Sequence, residues 1–257
     1  MHRRFVIPLL VALLAIGWTS ASRAERVVRD GLEVTFNANF APHVLPRLRP
    51  APVRVEIQGR VATTDGSHPP PLRWLEVTLN RNGRIFSRGL PVCSAPILQS
   101  TSTETALARC RSALVGRGNF RAEVLLGRSI PASGRILAFN SRRGGRQALL
   151  LHLFAGAPVR FTLVVPLTIG HRDEGEFGTV LRARVPRLGG NLGSVTQIDL
   201  TIGRQYSFAG KRRSYISAAC ATPPGLQAAI FPFARGVFRF EGRGEIQETL
   251  LRTCRVR

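Results

Sequence analysis

The chain is 257 residues long and strongly basic, with 37 Lys and Arg against 15 Asp and Glu and a formal charge of +22. Lys211 is the one lysine, so the excess is almost wholly arginine, which a high-GC coding bias gives as readily as selection for charge. Beyond the N-terminus no apolar run approaches the roughly 20 residues that a helix needs to cross a bilayer, which excludes a helical transmembrane anchor in the mature chain.

Arg3 and Arg4 precede an apolar run from Phe5 to Trp18, and Ser22-Arg23-Ala24 puts small residues at the two positions read at cleavage. Residues 1 to 24 are therefore expected to be a secretory signal peptide, cut before Glu25. No cysteine follows the apolar run, which argues against a lipoprotein, and the residues flanking Arg3-Arg4 fit twin-arginine export poorly. Cleavage removes Arg3, Arg4 and Arg23 and leaves a formal charge of +19. So basic a chain, secreted or held in the periplasmic or extracellular cell envelope, is expected to attract a polyanion: a phosphate-bearing or acidic wall polymer, or lipid headgroups. Export removes nucleic acid from the candidate partners.

From Glu25 onward the chain reads as period-two alternation broken by Pro and Gly. Leu32, Val34, Phe36, Ala38 and Phe40 share one face of a strand, and Glu33, Thr35, Asn37 and Asn39 the other. After a Pro-rich link from Pro42 to Pro52, Val53, Val55, Ile57 and Val61 mark a second strand, interrupted at Gly59. Leu75, Val77 and Leu79 are expected to pair with Ile85 to Leu90 around Asn82-Gly83, a strong hairpin signal. Arg88 to Phe120 then breaks the strand pattern and reads as a short helical insert, with Thr101 or Ser102 as N-cap and Glu104 in the first turn. Phe120 to Leu126 alternates again. Ile136 to Asn140 and Gln147 to Phe154 flank Gly144-Gly145 as a second hairpin, and Leu149 to Phe154 is apolar enough for a strand covered on both faces. Val159 to Val165 and Thr179 to Val185 follow, with the polar His171 to Gly178 between them. Pro186 to Gly193 is a glycine-rich crossing and the best site for a sub-boundary. Ile198 to Phe208 leads into Ala209-Gly210, Tyr215 to Cys220 returns, and Val237 to Val256 closes the chain as a hairpin turning at Gly242-Arg243-Gly244. About a dozen short strands at even spacing predict an all-β fold. We expect one large antiparallel β-sandwich domain over residues 25 to 257, immunoglobulin-like or jelly-roll-like, with one short helical insert.

Four cysteines in an exported chain read as two disulfides, for which three pairings exist. The local pairing, Cys93 with Cys110 and Cys220 with Cys254, staples the insert and holds the last strand. Zinc sites use CxxC spacings or a nearby His pair, and neither is present. The succession Gly89-Leu90-Pro91-x-Cys93, Cys110, Gly116-x-Gly118, Leu137-Ala138-Phe139-Asn140 and Phe238-x-Phe240-x-Gly242 closing on Cys254 resembles a family of exported proteins of high-GC soil bacteria. The resemblance covers most of the mature chain and implies secretion, paired cysteines and a β-rich fold. It brings no catalytic residues, because that family has no assigned activity. Where the family has Cys-Pro at the second cysteine this chain has Cys110-Arg111, so that turn is expected to differ.

No GxSxG, HExxH, P-loop, GxGxxG or EF-hand pattern occurs, and no cofactor is implied. Asp173, Glu174 and Glu176, beside His171, are the one acidic concentration: a candidate Ca²⁺ site or acid/base pair, or simply a polar tip between strands. Arg204, Lys211, Arg212 and Arg213, interleaved with Tyr206 and Tyr215, form the candidate binding hairpin, since guanidinium groups grip phosphate or carboxylate and aromatic faces stack on rings. His152, inside an apolar strand, is expected to bond neighbouring backbone. Together these features favour a non-catalytic binding or structural module for an anionic surface polymer or a protein partner. The rival is an extracellular hydrolase of glycan or ester bonds, which would need two carboxylates roughly 5 to 10 Å apart in a cleft.

Overall fold

The computed structural model describes residues 25 to 257, so the expected signal peptide lies outside the described residues. The alternating segments fold as β1 (Glu25–Arg29), β2 (Leu32–Ala41), β3 (Val44–Leu45), β4 (Ala51–Pro52), β5 (Arg54–Thr63), β6 (Leu72–Asn80) and β7 (Gly83–Ile85). The insert supplies α1 (Ala95–Leu98) and α2 (Thr103–Cys110). Then come β8 (Leu114–Leu126), β9 (Arg128–Arg143), β10 (Arg146–Ala155), β11 (Phe161–Glu174), β12 (Phe177–Arg184) and β13 (Gly193–Ile202). The chain ends with β14 (Gln205–Phe208), β15 (Lys211–Ser214), β16 (Ile216–Ala218), β17 (Ala228–Phe240) and β18 (Glu245–Val256). This is the all-β architecture that the alternation predicts.

Thirteen strands form one sheet in the order β1-β2-β5-β13-β8-β9-β10-β11-β12-β6-β17-β18-β3, antiparallel except where β18 meets β3. Strands before and after the Pro186 to Gly193 crossing share this sheet. The two layers of the sandwich are thus parts of one continuous surface, because a right-twisting sheet of this width curls until its apolar faces meet. Where it curls, β2 lies against β17 and β18. Phe36 meets Phe238 edge-on at 5.4 Å, and Phe40 stacks on Phe233 at 5.3 Å. Arginines bridge the same seam: Arg29 Nη1 donates to Glu245 O at 2.9 Å, Arg243 Nη1 to Asp30 O at 3.0 Å and Arg252 Nε to Ala38 O at 2.7 Å. A small sheet, β4-β16-β7, and the separate hairpin β14-β15 complete the fold.

Two expectations change. Asn82-Gly83 does not join β6 to β7 as a hairpin: β12 and β17 occupy the two edges of β6, and β7 pairs with β16. The Asn80 side chain accepts from Asn82 N at 2.9 Å, and this Asx turn sends the chain out of the large sheet. Gly59 does not interrupt its strand either. It sits within β5 opposite Phe36 and Ile198, where a Cβ would lie 3.2 Å from the Ile198 side chain.

The insert covers the outer face of β9 and β10, so Leu137, Phe139 and Leu150 pack with Leu98, Ala106 and the Cys93–Cys110 disulfide in a second core. Ser102 caps α2 by accepting from Thr105 N, with Glu104 in the first turn. Ser141 Oγ donates to Cys93 O at 2.6 Å and Asn140 Nδ2 to Pro91 O at 2.9 Å, which fixes the insert to β9. Strand β10 is consequently buried on both sides, and His152 is fully buried within it. Its Nε2 lies 3.1 Å from Thr101 O, so this nitrogen carries the proton, while Nδ1 has no partner among the described residues. Burial holds the His152 pKa below the usual imidazole value, outweighing the bond to Thr101. Unfolding therefore takes up a proton as pH falls below about 6.5. We expect the melting temperature to fall between pH 7.5 and 5.5, and His152→Gln to flatten that slope in thermal melts; an unchanged slope would exclude His152 as its source. Among the described residues no helix is long and apolar enough to cross a membrane.

Candidate functional site

The basic hairpin that the sequence singles out is largely committed to the fold. Arg204 Nη1 donates to Ser112 O at 2.6 Å and Leu114 O at 2.8 Å, anchoring the start of β14 to the end of the insert. The Tyr206 hydroxyl donates to Arg88 O at 2.8 Å. Tyr215 is buried in the core, which removes it from any surface site. Arg212 reaches Gln205 at 2.9 Å, and the Arg213 guanidinium lies 5.4 Å from the Phe86 ring centroid. What the hairpin presents to solvent is Lys211, Arg212 and Arg213 around the turn at Ala209-Gly210.

Asp173, Glu174 and Glu176 lie at the exposed β11–β12 turn, where Glu174 pairs with Arg235 at 3.0 Å and with Arg172 at 3.4 Å. The Arg235 bond and charge hold the Glu174 carboxyl below the ordinary carboxylate range. Asp173 faces Arg81 at 3.9 Å. These carboxylates do not converge: among the described residues no group of three or more His, Cys, Asp or Glu is placed to hold a metal ion. Arg172 of β11, Arg235 of β17 and Arg81 of the β6–β7 turn are the partners these carboxylates face instead.

A different polar surface emerges from strand register. Among the described residues no helix or strand covers the face of β2-β5-β13-β8-β9 that points away from the core, and pairing lines its side chains up in rows. Asn37, Gln58, Asp199, Asn119 and Arg135 stand opposite one another across five strands. Thr35, Arg60, Gln197, Arg121 and Ser133 form a second row across the same strands. Asn39, Glu56, Thr201 and Arg117 form a third. Within a row neighbours are about 4.8 Å apart, and rows are separated by about 7 Å. Asn37 Nδ2 donates to Gln58 at 3.1 Å, Gln197 Nε2 to Asp199 at 2.8 Å and Arg135 Nη1 to Asn119 at 3.4 Å. Arg60, Arg117 and Arg121 make no hydrogen bond or ion pair among the described residues, and all three are exposed. Two shallow grooves cross this face, one of about 310 Å³ between Glu56, Arg117, Arg135 and Asp199, the other of about 620 Å³ between Arg60, Arg121 and Ser133.

Such a surface offers unpaired guanidinium groups flanked by amides and hydroxyls, which suits a chain of hydroxyl and anionic groups laid across the strands. Sequence reasoning missed it. Arg117, Asn119 and Arg121 alternate with inward residues along β8, a visible period-two signal, but only register puts them beside Arg60 and Arg135. Comparison with protein-family models, with curated proteins and with solved structures finds no match.

Proposed function

We propose that this chain is a secreted, non-catalytic binding module of the cell envelope that holds an acidic glycan-type polymer across the outer face of β2-β5-β13-β8-β9. The observation that carries this reading is the set of unpaired arginines, Arg60, Arg117 and Arg121, standing in register with amide and hydroxyl side chains on an uncovered sheet face. Two disulfides fit the oxidising setting in which such a polymer is met. The test is retention of the mature chain on an immobilised polyuronate against a neutral glucan. Arg117→Ala/Arg121→Ala is expected to weaken polyuronate binding roughly tenfold, the scale of two partly exposed charge-assisted contacts. Arg142→Ala/Arg143→Ala, which removes equal charge from the exposed β9–β10 turn, should cost far less. Equal losses would mean bulk charge alone, and loss confined to Arg212→Ala/Arg213→Ala would move the site to the hairpin.

One observation favours the hydrolase reading. Glu56 and Asp199 share a groove and are diagonal neighbours on paired strands, about 7 to 8 Å apart. Inverting enzymes hold their two carboxyl groups roughly 6.5 to 9.5 Å apart, a span that side chains on diagonal positions can reach, though the face is open rather than a cleft. Release of shortened polyuronate by the parent, abolished in Glu56→Gln, would replace the binding reading with a catalytic one.

A further inference from the structure

The curled sheet encloses an apolar cavity of about 190 Å³. Its walls come from both layers, with Val34, Phe36 and Ile57 on one side and Val77, Leu163 and Leu181 on the other. Gly59 contributes by lacking a side chain between Phe36 and Ile198. The lining spans the length of β6. Near Leu72 it includes Pro186 and Leu188 of the crossing and reaches Arg60, Thr196 and Gln197, which contact solvent; near Leu79 it ends on Ile85, Tyr215 and Ile216 of the small sheet and its approach.

Tyr215 is 1% exposed, and its hydroxyl has no hydrogen-bond partner among the described residues. A buried hydroxyl that makes no hydrogen bond has lost its water without compensation, so folds seldom leave one unmet. Phenylalanine would fill the same space without that cost. Burial also raises the Tyr215 pKa, so the group is a neutral donor.

We propose that this cavity is a binding site for a compact, neutral hydrocarbon bearing one oxygen, with the ring or chain among the aliphatic walls and the oxygen accepting from Tyr215 Oη. An apolar cavity of about 150 Å³ accepts benzene, so this one has room for a single ring with a small substituent. A charged headgroup is disfavoured at the Tyr215 end, because no cation among the described residues lines that part of the cavity and an ion there would be desolvated without compensation. The proposal does not rest on the outer polar face, although Arg60 and Gln197 line both.

The mature chain is titrated by calorimetry with 4-methylphenol and with toluene, which share a shape and differ by the hydroxyl. Both are expected to bind, 4-methylphenol about fivefold to tenfold more tightly, and Tyr215→Phe should erase that preference while retaining toluene. Methyl NMR of the unmutated chain, which needs no variant, should show shifts at cavity-lining Leu, Val and Ile residues. Absence of cavity shifts with either probe would overturn the proposal, as would a preference that survives Tyr215→Phe.

Discussion

Replacing Cys220 and Cys254 together by alanine is expected to lower stability by about 3 to 4 kcal/mol, the chain-entropy value for a loop of this length. The two residues are 34 positions apart, and both are buried, Cys220 at the end of the small-sheet segment and Cys254 in the last strand, opposite Ala229. Position explains why the loss should be felt globally. On the side away from β17, β18 is paired among the described residues only with the two residues of β3, so the sheet ends there with little backbone support. The disulfide ties that end to the chain leaving β16, where Cys220 N also donates to Pro46 O at 3.0 Å. For a chain of this size the change corresponds to roughly 6 to 16 °C in melting temperature. The Cys93–Cys110 disulfide closes a shorter loop of 17 residues and sits in the satellite core. On the same chain-entropy scale its removal in Cys93→Ala/Cys110→Ala costs about 3 kcal/mol, somewhat less than the longer loop, and the loss should show first as protease cutting of the insert. Calorimetry of the two variants side by side decides the matter: a smaller shift for the Cys220–Cys254 variant would refute this account of how the sheet edge is held.

Which parts of this architecture the sequence discloses depends on the range of the forces involved. Strand β2 is legible because Leu32 to Phe40 alternate with polar residues, and burial follows that alternation residue by residue. The helical insert is legible for the same local reason: Ser102 and Glu104 are capping chemistry, visible without knowledge of the fold. His152 is legible too, since an imidazole among leucines must find backbone. Asn82-Gly83 misleads because a two-residue turn makes a hairpin only if the flanking strand has a free edge, and β6 has none. The outer polar face is invisible for a related reason. Its arginines come from β5, β8 and β9, and β13 enters the sheet between β5 and β8 from much later in the chain. Tyr215 reads as a surface aromatic beside three basic residues, yet it lies where the chain leaves β15 for β16, and the side chain turns inward there.

The second large effect is expected at Arg252, a buried arginine that no motif marks. It is 7% exposed, on β18, and its guanidinium donates to Ala38 O, to the Asn37 side chain and to Leu251 O. Ala38 and Asn37 belong to β2, far from β18 in strand order, so this one side chain joins regions that the backbone ladder leaves unpaired. Desolvation lowers its pKa, and the charge of Glu25 opposes that shift. Arginine nonetheless stays charged in proteins, and here neutral carbonyl dipoles meet the charge in place of a touching carboxylate. In Arg252→Ala two acceptors of β2 lose their donor and the aliphatic stem leaves a void. Each unmet acceptor costs about 1 to 3 kcal/mol, so a total near 3 to 4 kcal/mol is expected in urea unfolding. Arg252→Met keeps most of the packing and should recover part of it, whereas Arg29→Ala, at the exposed end of the same seam, should stay within about 0.5 kcal/mol of the parent. Amide exchange separates seam opening from general loss of stability, because β2 amides should exchange earlier than those of β10 in Arg252→Ala. If β2 and β10 lose protection together, or if Arg252→Ala melts with the parent, the seam is held by its phenylalanines and the guanidinium is incidental.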